Sequence, residues 1–204
     1  GSGILPTTTG TTAGSYTVVV TDANTCTNTA TGTLTVNTIP AVTVNDAAIC
    51  AGDAAATFTA TSDSTAASHL WSANGTGILP TTTGTAAGNF TVAVTDNNGC
   101  VGSGTGVLTV NILPVVTVNS SVLCVGDAAA TFTATTDSAA ASHLWSANGT
   151  GTISTTTGVT VGNYTVAVTD NNGCIGSGTG VLSVNVLPVV TVNSTGICAG
   201  DAAA

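Results

Sequence analysis

A stretch of 74 residues recurs along this chain: residues 38–111 and 112–185 are identical at 55 of 74 aligned positions. Trp71 returns as Trp145, Cys50 as Cys124 and Cys198, and Cys26 as Cys100 and Cys174, always at that spacing. A period this long holds enough residues for each copy to bury its own core, so the chain is expected to be an array of small domains. The boundaries fall at 1–37 (the C-terminal half of a repeat), 38–111 and 112–185 (two complete repeats) and 186–204 (the opening of the next). The chain opens on Gly1-Ser2-Gly3 and reads as an interior piece of a longer protein.

Within a repeat the apolar pattern has a period of two. Ala130-Thr131-Phe132-Thr133-Ala134-Thr135 alternates, and Tyr164, Val166 and Val168 share one face of Tyr164–Thr169. Such alternation belongs to half-buried strands. Further strands are expected at Val115–Asn119, Ser142–Ser146 and Gly180–Val184. Gly126-Asp127 and Asp170-Asn171-Asn172-Gly173 supply turns, since Asn and Gly tolerate positive φ. No helical period is present. Six or seven short strands in 74 residues predict an all-β fold, a two-sheet sandwich of the immunoglobulin type repeated into an elongated rod. Trp71 and Trp145 are expected in the core, and the rings of Phe90 and Tyr164 are expected to fill it. Junctions such as Val110-Asn111-Ile112-Leu113-Pro114 carry a proline that stops the last strand and stiffens the crossing.

Charge narrows the partners. The chain has no Lys or Arg, nine acidic residues, all Asp, and a net charge of −9. Such a chain repels phosphate backbones, which excludes nucleic acid, and lacks the cations that hold an anionic bilayer. No apolar run approaches the ~20 residues of a membrane span. With 43% hydrophobic residues, mostly β-formers, the composition is that of strands rather than of a disordered chain.

Cys-x-Gly-Asp before Ala-Thr-Phe-Thr-Ala-Thr, then Leu-Trp-Ser, then Gly-Asn-Tyr-Thr-Val-Ala-Val-Thr-Asp-Asn-Asn-Gly-Cys, resembles the Ig-like and PKD-like tandem repeats of giant surface adhesins of gliding gram-negative bacteria, of the SprB type. The resemblance implies export, often by the type IX route, and display as long cell-surface filaments. It also implies O-glycans at Asp-Ser/Thr-small-apolar sites. Asp63-Ser64-Thr65 and Asp137-Ser138-Ala139 match, which makes Ser64 and Ser138 candidates. Asn-x-Ser/Thr triplets at Asn74, Asn89, Asn148 and Asn163 are discounted, because two of them open strands.

The six cysteines suggest disulfides in an oxidising compartment. In a sandwich the Cys-x-Gly-Asp cysteine lies at one end and the Asn-Gly-Cys cysteine at the other. About ten strand residues at ~3.3 Å separate them by about 35 Å, whereas a disulfide needs Cα atoms within ~7 Å. The favoured pairing is therefore Cys50 with Cys174, in successive repeats, with Cys26, Cys100, Cys124 and Cys198 paired outside the segment. Within-repeat pairs, Cys50–Cys100 and Cys124–Cys174, are the alternative.

Little points to catalysis. Glu and Lys are missing, and the only histidines, His69 and His143, sit beside the core Trp of each copy. An active site copied into every domain is rare, so no enzyme and no cofactor is expected. Asp96 and Asp170, in Asp-Asn-Asn-Gly, are weak calcium candidates; a turn is the better reading, since a tight site needs several carboxylates. The chain is expected to serve as an extracellular structural or adhesive stalk. Its partners would be neighbouring repeats of the same chain and identical chains in a filament. The alternative is a multivalent carbohydrate-binding array, which needs exposed aromatic platforms and would bind surface glycans.

Overall fold

The computed structural model describes residues 7–200. Gly1-Ser2-Gly3 and the outer ends of the 1–37 and 186–204 segments lie outside the described residues. Every element in the described residues is a strand, so none is a helix long and apolar enough to cross a membrane. The chain divides into two compact units: one runs through Ile49 and resumes over Asp53–Val110, and the other takes Cys50–Gly52 together with Asn111 onward.

The first unit opens with a hairpin, β1 (Gly14–Thr21) and β2 (Thr27–Leu34). Seven strands follow: β3 (Val42–Val44), β4 (Ala47–Cys50), β5 (Ala56–Ser62), β6 (Ala66–Ala73), β7 (Thr81–Gly84), β8 (Gly88–Asp96) and β9 (Val101–Asn111). They form a three-stranded sheet, β3-β5-β7, and a four-stranded sheet, β4-β9-β8-β6. Phe58 of β5 stacks on Phe90 of β8 with ring centroids 4.0 Å apart. The two rings come from different sheets, and with Trp71, Val92, Val94 and Leu108 they form one buried core. This is a sandwich: the strands alternate, and the buried face of each sheet carries most of the large apolar side chains.

The second unit repeats the plan. Its strands are β10 (Val116–Val118), β11 (Ser121–Cys124), β12 (Ala130–Thr136), β13 (Ala140–Ala147), β14 (Thr155–Gly158), β15 (Gly162–Asp170) and β16 (Ile175–Asn185). Each begins 74 residues after its counterpart, as Val116 follows Val42 and Ile175 follows Val101. The sheets are β10-β12-β14 and β11-β16-β15-β13, and β11 runs parallel to β16 with Cys124 opposite Asn185. Phe132 and Tyr164 stack at 4.0 Å inside a core with Trp145, Val166, Val168 and Leu182. The first strand pair splits between two sheets, and the first strand of one sheet lies parallel to the last strand of the chain. That strand order is an immunoglobulin-type topology.

Two elements differ from the sequence expectation. The strand expected at Val115–Asn119 is β10; beyond it the chain crosses to the other sheet as β11, a strand that was not expected. The last strand starts at Ile175 rather than Gly180, so it takes in Gly176 and Gly178. A Cβ on Gly102 would strike the Pro40 carbonyl oxygen, and one on Gly104 would lie 2.7 Å from that of Val42. Alternate glycines on β9 therefore leave room for the β3 backbone, and strand propensity yields to that close approach.

Residues 186–200 contain no strand, and Val189 is 92% exposed there. The β1–β2 hairpin is a two-stranded sheet whose Val18, Val19 and Val20 are all exposed.

Candidate functional site: the cysteine hairpins

Each Asn-Gly-Cys cysteine is held by an aspartate. Asp170, the last residue of β15, is buried, and its Oδ1 accepts hydrogen bonds from the backbone N–H of Asn172 (2.8 Å) and of Cys174 (2.9 Å). The Asp170 N–H donates to the Cys174 carbonyl at 2.9 Å, and Gly173 takes φ 84° to close the turn. Asp96 repeats the arrangement, accepting from Asn98 (2.9 Å) and Cys100 (2.8 Å). Asp22 does so with Asn24 and Cys26, although Thr25 stands there at φ 70° in place of glycine. Asp96 and Asp170, the calcium candidates, each close a turn through these bonds. One oxygen of each carboxylate serves two backbone amides, and among the described residues no three His, Cys, Asp or Glu come together as a ligand set.

The Cys-x-Gly-Asp cysteine is fixed differently. Cys124 ends β11, its N–H donates to Asp127 Oδ2 at 2.7 Å, and Gly126 adopts φ 95°. The next residue, Val125, donates to the carbonyl of Asn185, which ends β16. Cys174 immediately precedes Ile175, which begins that same strand. Eleven residues of strand, about 33 Å, therefore separate Cys124 from Cys174. That distance rules out a Cys124–Cys174 bond, which needs Cα atoms within ~7 Å. Cys50, at the end of β4, leads into the matching turn, with Ala51 donating to Asn111. In the structure Cys50 is bonded to Cys174, with Cα atoms 5.6 Å apart and a sequence separation of 124. Cys174 is fully buried. That bond also removes the alternative Cys50–Cys100 pair. Cys26 and Cys124 are exposed thiols, and Cys100 is a half-buried one.

The remaining candidates are structural in their surroundings. Trp71 and Trp145 are buried, and each indole N–H donates to a carbonyl eight residues on, that of Leu79 (2.8 Å) and of Ile153 (2.9 Å). His69 and His143 are half-buried on the Trp face of their strands. Tyr164 fills the core as expected and also donates its hydroxyl to the Thr160 carbonyl at 3.1 Å, a bond that Phe90 cannot make. Ser64 and Ser138 are half-buried, with hydroxyls 3.3 Å and 3.4 Å from those of Ser62 and Thr136. Beside them Asp63 and Asp137 accept from the N–H of Ala41 and Val115, pinning the end of β5 to the start of β3 and the end of β12 to the start of β10. Asn74 and Asn148 turn their amides to the carbonyls of Ala87 and Val161.

Sequence reasoning missed the braces at the sheet crossing. Asp46 Oδ1 accepts from Val107 N–H at 2.7 Å, and Ser120 Oγ from Val181 N–H at 3.0 Å. These pairs lie 61 residues apart in sequence, beyond any local pattern.

No family model matches the chain, and no curated protein matches it. Several solved structures resemble it in part. One is from a 1.5-MDa bacterial ice-binding adhesin, at 22% identity over 85% of this chain and 74% of that one, with a TM-score of 0.47. Another is a three-Ig-domain fragment of titin, at 17% identity over 74% and 67%, with a TM-score of 0.43. A third comprises extracellular domains 3–5 of Drosophila OTK, at 14% identity over 85% and 71%, with a TM-score of 0.40. The fold assignment rests on the strand order and shared cores above, not on these likenesses.

Proposed function

We propose that this chain is a structural segment of a secreted or cell-surface bacterial filament, an array of Ig-like repeats acting as a stalk. The observation that carries the reading is the Cys50–Cys174 disulfide, which joins a cysteine of the 38–111 repeat to one of the 112–185 repeat. A disulfide persists in oxidising surroundings outside the cytosol, which supports an extracellular address. A bond of this kind adds a second covalent link between successive repeats, beside the backbone, and suits a part whose task is to transmit tension. Its partners on this reading are the neighbouring repeats and identical chains alongside.

The carbohydrate-array reading needs aromatic platforms. Phe58, Trp71, Phe90, Phe132, Trp145 and Tyr164 are all buried, which leaves the two complete sandwiches without one and favours the stalk.

The test is non-reducing peptide mapping of protein alkylated during purification, with a protease that cuts after apolar residues. Peptides containing Cys50 and Cys174 should be recovered joined. Recovery of Cys50 alkylated, or joined to Cys100, would remove the observation on which the reading stands.

A further inference from the structure

Between Cys50 and Cys174 the chain contains 123 residues. Those residues include β5 to β9 and β10 to β15, and with them every buried ring of both cores. A pull on the two ends of the chain enters along β3 and β4 to Cys50. There it meets a covalent bond to Cys174, and it leaves through β16. The loop that holds Phe58, Trp71, Phe90, Phe132, Trp145 and Tyr164 is not on that route.

From this placement we propose that the Cys50–Cys174 bond is a length limiter: both sandwiches can come apart under load while the segment lengthens by only the residues outside the loop. The inference rests on the stalk reading for its purpose, but its mechanics depend only on the bond. The residues on the tensioned route number 50 before the bond and 31 after it, 81 in all out of 204. At about 3.4 Å per extended residue these span about 280 Å, against about 690 Å for the whole chain, a 2.5-fold difference. The shielded loop carries no tension, so most of the core residues stay in a short tethered loop when the end strands peel off. A loop held closed has less chain entropy to lose on refolding, so recovery after unloading should be fast.

The experiment is single-molecule stretching of the 204-residue chain held by its two ends. Oxidised protein should reach a contour length of about 280 Å and no more below the force that breaks covalent bonds. Dithiothreitol should release about 420 Å more. In that step the reductant gives two electrons and two hydrogens to the Cys50 and Cys174 sulfurs and leaves as its own cyclic disulfide. Cys50→Ser should give about 690 Å with or without reductant, and this readout holds even if that variant folds poorly, because it measures the unfolded chain. Cys100→Ser should stay at the oxidised value. Oxidised protein that extends to about 690 Å, although peptide mapping of the same sample shows the bond, would overturn the limiter and leave the stalk reading standing. Mapping that shows no bond would instead overturn the stalk reading.

Discussion

At Tyr164 and Phe90 the two sandwiches run a natural experiment on one oxygen atom. Both rings stack on a phenylalanine at 4.0 Å with an interplanar angle of 9°. Only Tyr164 adds a hydroxyl bond, to the carbonyl of exposed Thr160. The ring is held by packing, and the hydroxyl adds to it. Tyr164→Phe should therefore cost about 1 kcal/mol, the net worth of one hydrogen bond whose acceptor can return to water. Urea unfolding of the single variant measures it, and a loss above about 3 kcal/mol would show that the hydroxyl does more than this bond. The core placement of Trp145 and Tyr164 was legible, because period-two alternation sets the buried face. The role of Asp170 was half legible. Asp-Asn-Asn-Gly reads better as a turn than as a cation loop, but which amides the carboxylate holds, those of Asn172 and Cys174, is a property of the folded hairpin.

At the scale of the strand, β16 shows why a local rule failed. Glycine weakens a strand, and the closing strand was expected only over Gly180–Val184. In the structure Gly176, Gly178 and Gly180 face the backbone carbonyls of Pro114, Val116 and Asn119. Absence of Cβ is what lets that first segment lie on the strand. β11 escaped for a related reason: it is four residues long and is defined by a parallel partner about sixty positions away. Gly176→Ala puts its Cβ against the Pro114 oxygen, a backbone atom that cannot swing aside. The expected loss is about 2–3 kcal/mol. Ser177→Ala, one residue on and on the exposed face, should stay within about 0.5 kcal/mol. Equal effects from the two substitutions would mean that the glycine faces open space.

Over the whole molecule, electrostatics takes an unusual form. No Lys or Arg is present, so Asp cannot form an ion pair with either. Instead, Asp22, Asp46, Asp63, Asp96, Asp127, Asp137 and Asp170 each accept at least one backbone N–H. The carboxylates are thus local fasteners, while at longer range nearly every charge–charge interaction is a repulsion at net charge −9. The composition displayed the repulsion; the fastening became visible only with the backbone path. Salt shortens the reach of charge, from about 30 Å at 0.01 M to about 8 Å at 0.15 M. In a protein held by surface ion pairs, that screening removes attraction as well as repulsion. Here repulsion dominates what is screened, and it is relieved most in the compact state, where like charges are crowded. Thermal unfolding at pH 8 should therefore move to higher temperature as sodium chloride rises over that range. A midpoint that falls with salt would show that short-range attraction to the carboxylates outweighs repulsion among them.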